Sequence, residues 1–434
     1  MSLRLSILML TLSFQNAFSQ SLYFPPTTGS TWETIEPISL GWCTENLDAL
    51  YSYLDQEESK AFIVLKDGKI VLEKYFDTFT KDSFWYWASA GKTLTAFLVG
   101  MAQEEGKLKL SDASSKYLGV GWTQSPLEKE NKITIWNQLT MTSGLDDGVS
   151  DNHCTKSECL VYKAEAGSRW AYHNAPYTLL RDVLENATGM TENQYIQSRL
   201  KAKTGMTGFW FTSDYDNVYY STPRSMARFG LLIQNHGAWN TDSLLKDQNY
   251  FESMVNPSQQ INKSYGYLWW LNGKSSFMLP TLQLVIPGPL SPEAPKDMFA
   301  GIGKNGQLIC IVPSLGLVVL RMGESTGKDE VSIVLCNQMW LRLNKVLCNA
   351  TSTKNDIFLN NSVEIFPNPV NNTLQLNTFN NNIISNILIY NTIGQLNYNK
   401  PFMGVIDLTG FKSGLYYIQL MTNRGIIIKT FIKT

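Results

Sequence analysis

One short stretch of this 434-residue chain, Trp85 to Leu98, constrains its fold more than any other. Three aromatic residues lead to Ser89, Lys92 follows three positions later, and an apolar run from Leu94 onward predicts a buried helix. Residues three apart are neighbours on a helix surface, so the Ser89 hydroxyl and the Lys92 amine are expected on one face. The sequence therefore predicts a serine beside a lysine at the start of a buried element.

This pair has two interpretations. A serine hydroxyl is a poor nucleophile until a base accepts its proton, and a lysine with its usual pKa of about 10.4 is protonated at neutral pH. The aromatic neighbours are expected to desolvate Lys92, which lowers the pKa of a lysine toward neutrality. Alternatively, Ser89 only caps the helix that follows it. Motifs elsewhere in the chain are needed to distinguish an activated serine from a helix cap.

Composition excludes several kinds of partner and site. The net charge is −1 and charged residues make up 17% of the chain, which argues against nucleic acid or an anionic membrane surface as the main partner. The three histidines, His153, His173 and His236, are scattered, and no clustered histidine and cysteine spacing predicts a metal site. We therefore expect neither a metal nor a cofactor.

Residues 1–19 have the pattern of a signal peptide. Arg4 precedes an apolar run, Leu5 to Leu12, and Ala17-Phe18-Ser19 supplies small residues at the positions that govern cleavage. The run is too short to span a bilayer. We expect cleavage after Ser19, export, and no integral membrane segment in the mature chain; the alternative is a buried N-terminal helix.

The cysteines are compatible with disulfides in an exported protein. Cys154 and Cys159 enclose a short polar loop and are predicted to pair. Cys336 and Cys348 are predicted to share one helix, which at ~1.5 Å per residue places them roughly 18 Å apart. A disulfide spans at most ~7 Å between Cα atoms, so one of these two cysteines has Cys43 as an alternative partner.

Tyr172-His173-Asn174 precedes a predicted helix, Tyr177 to Glu185. In an extended loop residues i and i+2 face the same way, so the phenol and the carboxamide are expected to face one cleft, with His173 packed on the other side. A phenolate beside a lysine can act as a general base, and an amide can bind a substrate carbonyl. The alternative is a packed tyrosine followed by an asparagine that caps the helix.

Lys304-Asn305-Gly306 also has two interpretations. As a functional element it is an edge strand that offers a cation to a substrate carboxylate, while Gly306 admits the substrate backbone and the Gln307 N–H completes an oxyanion hole. As a structural element it is a hairpin turn, because Asn-Gly is a strong signal for a two-residue turn.

Patterning elsewhere predicts further helices and strands. The predicted elements are a helix at Glu45–Glu57, strands at Ala61–Leu65 and Lys69–Phe76 joined by an Asp-Gly turn, a helix at Pro223–Asn235, an aromatic strand at Tyr265–Trp270, strands at Leu308–Val312 and Leu317–Arg321, and a closing helix at Asp329–Leu347.

Ser89-Ala90-Gly91-Lys92, Tyr172-His173-Asn174 and Lys304-Asn305-Gly306 occur in the order of the signature elements of penicillin-recognising serine hydrolases, Ser-x-x-Lys, Ser-Asp-Asn and Lys-Thr-Gly. Because the second element is Tyr-x-Asn, the chain resembles the class C β-lactamase branch with its related esterases and peptidases, from about residue 61 to residue 347. The resemblance implies an α/β (α+β) fold of the β-lactamase/transpeptidase type, with an antiparallel sheet flanked by N- and C-terminal helices plus a helical subdomain.

The resemblance assigns a role to each catalytic candidate. Ser89 is the acyl-accepting nucleophile and Lys92 is its hydrogen-bonded partner. Tyr172 shares the base role and activates the water that hydrolyses the acyl-enzyme, while Asn174 positions the acyl amide. Whether Lys92 or Tyr172 takes the first proton stays open.

The resemblance also implies a substrate-binding strand and an oxyanion hole. Lys304, Asn305 and Gly306 correspond to Lys-Thr-Gly, and the backbone N–H groups of Ser89 and Gln307 are expected to bind the oxyanion. Asn305 replaces the threonine of the motif. Loss of that hydroxyl disfavours recognition of a β-lactam or D-Ala-D-Ala carboxylate.

The composition changes after residue 348. Residues 349–362 form a polar linker, and residues 363–434 alternate short strands with turns, which predicts a small β-sandwich. Its Phe366-Pro367-Asn368-Pro369 start and its Ser413-Gly414-Leu415-Tyr416 segment resemble the C-terminal sorting domain of type IX secretion in Bacteroidetes. That resemblance implies the type IX secretion machinery as a partner and a secreted or cell-surface location; the alternative is a ligand-binding sandwich.

The sequence thus predicts a signal peptide (1–19), a serine hydrolase domain (20–348), a linker (349–362) and a sorting domain (363–434). The hydrolase is expected to form an acyl-enzyme with a small-molecule or peptide substrate that carries an ester, an amide or a D-amino-acid peptide bond. One alternative is a true β-lactamase or D,D-carboxypeptidase. Another is a catalytically idle member of the fold that binds peptidoglycan-like peptides.

Overall fold

A computed structural model describes residues 22–325, 331–348, 363–378, 384–391, 395–402, 404–422 and 425–434. The predicted signal peptide and the predicted linker lie outside these residues. We refer to residues 22–348 as the N-terminal body and to residues 363–434 as the C-terminal body.

The N-terminal body mixes helices with antiparallel strands. In chain order its elements are α1 (Leu47–Gln56), β1 (Ser59–Lys66), β2 (Lys69–Tyr75), β3 (Trp85–Tyr86), α2 (Lys92–Glu104), α3 (Ser115–Leu118), α4 (Leu127–Glu130), α5 (Ile135–Leu139), α6 (Asn174–Thr178), α7 (Leu180–Thr188), α8 (Glu192–Ile196), α9 (Ala202–Thr204), β4 (Phe209–Ser213), β5 (Asp216–Ser221), α10 (Pro223–Gln234), β6 (Ala238–Trp239), β7 (Asp242–Ser243), α11 (Gln248–Met254), β8 (Trp270–Leu271), β9 (Ser276–Phe277), β10 (Ile286–Pro287), β11 (Phe299–Ile302), β12 (Leu308–Val312), β13 (Leu317–Gly323) and α12 (Ile333–Val346).

The main sheet has the strand order β2-β1-β13-β12-β11-β8, and its pairings are antiparallel. The apolar run of β1, residues 61–65, is fully buried, since helices cover the sheet on both faces. Helix α10 packs on β1, β12 and β13, while α1 packs on β1 and α12. Gly230 permits the approach of α10, because a Cβ there would lie 2.4 Å from Val318 Cγ1. This architecture confirms the predicted fold class.

Trp87 holds in place the segment that leads into the buried helix α2. Trp87 is fully buried; its backbone N–H donates to Tyr219 O (2.8 Å) and its indole N–H donates to Ser221 Oγ (2.8 Å). Helix α2 then packs against α7 and α11, and its residues from Lys92 to Ala102 are buried. A helix apolar on every side is expected where other elements surround it.

Two predictions about strands are wrong. Tyr265 to Trp270 is not a strand for most of its length, because Tyr265 pairs with Trp270 across a tight turn in which Leu268 has a φ of 61°. The strand β11, which leads into Lys304-Asn305-Gly306, is not an edge strand, because it lies between β12 and β8.

The two predicted turns hold. Asp67 and Gly68 join β1 to β2 with φ values of 49° and 85°, and Asn305 and Gly306 join β11 to β12 with φ values of 58° and 68°. Left-handed φ values at both central residues are what an Asn-Gly or Asp-Gly hairpin requires.

Two disulfides join parts of the N-terminal body. Cys154 pairs with Cys159 as predicted, and Cys348 pairs with Cys43. The second bond joins the segment before α1 to the residue that follows α12. Cys336, on α12, is a buried thiol and does not join Cys348.

The C-terminal body consists of β14 (Val363–Phe366), β15 (Thr373–Thr378), β16 (Ile384–Asn391), β17 (Leu396–Pro401), β18 (Val405–Asp407), β19 (Gly414–Thr422) and β20 (Gly425–Lys433). Its two sheets have the orders β14-β15-β18 and β17-β16-β19-β20. Side chains from both sheets, among them Leu374, Ile406, Ile387 and Ile418, form one buried cluster. Alternating apolar residues on facing sheets are typical of a β-sandwich.

Among the described residues, none of the helices combines the length with the apolar character needed to cross a bilayer.

Candidate active site

Ser89 lies in a single 3₁₀ turn, Ala88–Gly91, immediately before α2. Its side chain does not cap the helix, since the residue at the cap position is Gly91 and no side chain bonds the first helical N–H groups. Ala88 has a φ of 44°, in the left-handed region that is costly for a residue with a Cβ. Backbone strain of this kind is concentrated at functional sites, and here it presents Ser89 to a cleft.

The Lys92 amine lies 2.9 Å from Ser89 Oγ and 2.9 Å from Asn174 Oδ1. It also lies above two aromatic rings, 4.1 Å from the centroid of Tyr177 and 5.3 Å from that of Tyr172. Lys92 is only 4% exposed. The amine is therefore desolvated, which is one of the ways in which proteins activate a lysine.

Tyr172 lies in a cluster of aromatic side chains. Its ring stacks on Trp270 with a centroid distance of 5.8 Å and meets Tyr265 edge-on at 6.3 Å. Burial raises the pKa of Tyr265 and of Tyr177 well above 10, so both neighbouring phenols stay protonated. Tyr172 lines the same cleft as Ser89 and Lys92.

Asn174 connects this group to two residues that the sequence analysis did not identify. Its Nδ2 lies 3.1 Å from His153 Nε2, and His153 Nδ1 lies 2.6 Å from Asp216 Oδ1. The hydrogen bond from His153 lowers the pKa of Asp216. His153 precedes the Cys154–Cys159 loop and Asp216 opens β5, a strand that was not predicted. Their separation of 63 positions in the sequence explains why no local pattern revealed the pair.

His173 is buried outside the cleft, as expected for the residue between Tyr172 and Asn174. Within the described part of the chain neither ring nitrogen has a hydrogen-bond partner. Burial lowers the pKa of His173 to about 4, so its ring is neutral at physiological pH.

Of the Lys304-Asn305-Gly306 turn, only Lys304 lines the cleft. The Asn305 amide donates instead to Tyr86 Oη (2.8 Å) and to Glu324 Oε2 (2.6 Å). Gly306 packs against the guanidinium of Arg321, which binds the carbonyl oxygens of both Asn305 and Gly306. Gly306 is thus buried, and the Asn305 side chain is held by Tyr86 and Glu324.

Gln307 does not line the cleft. It is fully buried, its side chain bonds the backbone of Gly323, and its own N–H is directed at Lys304 O. Gly303 is the residue that passes against Ser89, because a Cβ at Gly303 would lie 3.0 Å from the Ser89 backbone nitrogen. Lys304 follows Gly303 directly and precedes the Asn305-Gly306 turn, which the Gln307 N–H closes at Lys304 O.

The cleft between these groups has a volume of about 350 Å³. It brings together Ser89, Lys92, Tyr172, Asn174 and Lys304 of the predicted site and leaves out Asn305, Gly306 and Gln307. The further lining residues are Tyr86, Ala88, His153, Tyr177, Thr178, Asp216, Asn217, Val218 and Tyr220. Within the described ranges there is no group of His, Cys, Asp or Glu side chains arranged to hold a metal ion.

Comparison with known proteins identifies relatives of both bodies. Residues 48–333 match the beta-lactamase family, and residues 364–434 match the secretion system C-terminal sorting domain. An uncharacterized protein of Alkalihalophilus pseudofirmus is 24% identical over 66% of this chain and 89% of its own length. The D-alanyl-D-alanine-carboxypeptidase/endopeptidase AmpH of Escherichia coli is 30% identical over 35% of this chain, which spans only 40% of that protein.

Solved structures show the same fold. A penicillin-binding protein homologue from Caulobacter crescentus superposes with a TM-score of 0.54 at 13% identity, covering 72% of this chain and 99% of its own. The C-terminal sorting domain marks the protein for secretion or for the cell surface. The chain belongs to the beta-lactamase family of serine hydrolases and penicillin-binding proteins, and it carries a secretion sorting domain at its C-terminal end.

Proposed function

We propose that this protein is an exported serine hydrolase that forms an acyl-enzyme on Ser89. The observation that carries the proposal is the 2.9 Å contact between Lys92 Nζ and Ser89 Oγ, made where the lysine is buried among aromatic rings. In its neutral form the amine can donate to Asn174 Oδ1 while its lone pair accepts the serine proton. The contact therefore supports removal of a proton from the serine.

The acylation step needs one proton acceptor and one oxyanion site. Ser89 Oγ bonds to the substrate carbonyl carbon as its proton passes to the Lys92–Tyr172 pair. The tetrahedral intermediate then collapses with cleavage of the C–O or C–N bond, and the leaving group takes that proton. Deacylation repeats the sequence with water, whose proton passes to the same pair before it returns to Ser89 Oγ.

We assign the second oxyanion donor to the Lys304 N–H in place of Gln307. The burial of Gln307 and the direction of its N–H oppose the original prediction. The close approach of Gly303 to the Ser89 nitrogen supports the choice of the Lys304 backbone instead. Removing one donor from such a site in a comparable hydrolase costs about 3–4 kcal/mol.

The substrate we propose is an ester, a linear amide or a D-amino-acid peptide. The side chain of Asn305 is bound to Tyr86 and Glu324, so the turn does not offer it to a β-lactam carboxylate. The likeness to AmpH, named as a D-alanyl-D-alanine-carboxypeptidase/endopeptidase, supports D-amino-acid peptides as the amide class.

A fluorophosphonate probe tests whether Ser89 is a nucleophile. We expect one equivalent of probe on the wild type and none on Ser89→Ala. Ser83→Ala, which changes a serine in the loop before β3, is the matched control and is expected to label fully. Absence of labelling in the wild type would support the idle peptide-binding alternative.

A substrate panel then separates the enzyme classes. We expect turnover of short-chain nitrophenyl esters and D-amino-acid peptides, and scarcely any turnover of a chromogenic cephalosporin. Rapid hydrolysis of the cephalosporin would instead identify a true β-lactamase.

We further propose the type IX secretion machinery as the partner of the C-terminal body. In a host with that system, deleting residues 363–434 is expected to retain the hydrolase inside the outer membrane with its ester turnover unchanged. Equal export with and without these residues would contradict the assignment.

A further inference from the structure

We propose that His153 and Asp216 are positioning residues that hold the Asn174 amide in the orientation required by Lys92. The inference rests on the proposed hydrolase function and extends it to two side chains outside the three signature elements. The four residues form a continuous hydrogen-bonded chain, Lys92 to Asn174 to His153 to Asp216.

In each hydrogen bond of this chain, which group donates and which accepts follows from the bond between Lys92 and Asn174. Lys92 Nζ donates to Asn174, so the amide must present its oxygen to the lysine and its NH₂ to the histidine. His153 Nε2 must then accept, and its proton resides on Nδ1. That Nδ1–H donates to Asp216 over 2.6 Å. Asp216 therefore selects the one neutral tautomer of His153 that holds Asn174 correctly.

The reverse arrangement opposes catalysis. If the ring carried its proton on Nε2, two donors would face each other, and the amide would turn to present its NH₂ to Lys92. The lysine would then have no acceptor at Asn174 and would not be fixed beside Ser89. A misplacement of about 1 Å at a reacting group can lower a rate by about 100-fold.

The backbone around His153 is held independently of its ring. The His153 N–H donates to Asp151 Oδ1 (3.0 Å), the Ala175 N–H donates to Asn152 O (3.0 Å), and the following loop is closed by a disulfide. The side chains of His153 and Asp216 are 40% and 55% exposed. Exposed pairs of this kind contribute little to stability, so changing them is expected to affect the rate and leave folding intact.

Two His153 variants and one control variant at another histidine test the inference. His153→Leu removes the acceptor and is expected to lower kcat by about 10- to 100-fold with KM little changed. His153→Gln retains an acceptor oxygen and is expected to recover most of that loss. His236→Asn changes a half-exposed histidine in the turn after α10, at a φ of 51° that asparagine tolerates, and is the control, expected to match the wild type. Thermal unfolding should give the same Tm for all four proteins.

The rate of fluorophosphonate labelling separates this inference from the proposed function. If the wild type does not label, the proposed function fails. If the wild type labels and His153→Leu labels as fast, the positioning role fails alone. It fails equally if His153→Leu raises KM only, which would indicate direct contact with substrate, or if His153→Gln is as slow as His153→Leu.

Discussion

The two walls of the cleft use polar side chains in opposite ways. On the first wall Lys92, Asn174, His153 and Asp216 bond to one another in a chain that ends at the Ser89 hydroxyl. On the second wall Asn305 bonds to Tyr86 and Glu324, and Arg321 binds the turn from beneath. The first wall directs its hydrogen bonds at the nucleophile, whereas the second uses its hydrogen bonds to hold its own turn.

We infer that the first wall serves the chemical step and that the second wall serves substrate recognition. A hydrogen-bonded wall that ends at a serine maintains the geometry of proton transfer whatever the substrate. A turn whose side chains are bound elsewhere offers the substrate one cation and backbone N–H groups. We therefore expect acyl transfer to depend steeply on the first wall and weakly on the side chains of the second.

The largest expected effect is the loss of kcat on replacing Lys92 of the first wall, compared with a small loss of kcat/KM on replacing Lys304 of the second. Lys92→Met should lower kcat by about 10³-fold, because it removes the group beside Ser89 Oγ that we propose as a proton acceptor. Lys304→Met should lower kcat/KM by less than about tenfold, since it removes a solvent-screened charge and retains the backbone N–H. Steady-state ester hydrolysis measures both, and similar losses in the two variants would abolish the distinction between the walls.

The next largest expected effect is on deacylation, and it distinguishes the two tyrosines beside Lys92. Tyr172→Phe should slow deacylation by about 100-fold, so that acyl-enzyme accumulates and is visible by intact mass spectrometry. Tyr177→Phe is the control, because burial keeps its phenol protonated and its Oη lies 3.5 Å from Thr95 Oγ1. Accumulation in Tyr177→Phe and none in Tyr172→Phe would exchange the roles of the two residues.

A smaller effect is expected from restoring the family residue on the second wall. Asn305→Thr places a β-branched side chain at a φ of 58° and removes two hydrogen bonds. Compared with Asn305→Gly, which tolerates that φ, it should lose about 1–2 kcal/mol of unfolding free energy in urea. Cephalosporin turnover should not rise in either variant. A rise in Asn305→Thr would show that this side chain does reach substrate.

The last prediction concerns the pH dependence of stability, to which Glu192 contributes from behind the first wall. Burial raises the pKa of Glu192 to about 8 from its ordinary 4.5, and its carboxyl accepts a hydrogen bond from Asn217, which lines the cleft. The folded state therefore binds the Glu192 proton more tightly than the unfolded state. Its contribution to stability is complete below pH 4.5 and is lost as the pH rises through about 8.

Glu192→Gln is neutral at every pH and should abolish this dependence. We expect its Tm advantage over the wild type to grow between pH 6 and pH 9. Glu165→Gln changes a carboxyl whose pKa the hydrogen bond from Lys129 lowers to about 2, so this variant is the control and should show no such growth over that range. A constant difference for Glu192→Gln would mean that the buried carboxyl is already ionised at pH 6.

The sequence predicted the parts of the fold and the site that depend on local spacing. Ser89 and Lys92 are three residues apart, and Asn305-Gly306 is a two-residue turn, so each follows from neighbouring residues alone. The order of the three signature elements then supplied the family. Short-range geometry is the kind of information that a pattern carries.

The remaining features depend on contacts between distant segments. Asp216 and His153 meet only because β5 and the disulfide loop border the same cleft. The Tyr265–Trp270 segment has the composition of a strand, but close packing turns it back on itself, since a Cβ at Gly266 would lie 2.2 Å from Met254 O. Gln307 lies outside the cleft lining because its side chain bonds the backbone of Gly323, a contact between distant segments that the motif does not reveal.

The bond between Cys43 and Cys348 has a mechanical consequence. Cys348 is the last described residue before the segment that leads to the sorting domain, and its partner lies ahead of α1. A pull applied through that segment reaches Cys43 directly through the disulfide, as well as α12 through the backbone. Proteolytic release of the sorting domain after residue 348 would likewise leave a hydrolase whose two ends are already covalently clamped.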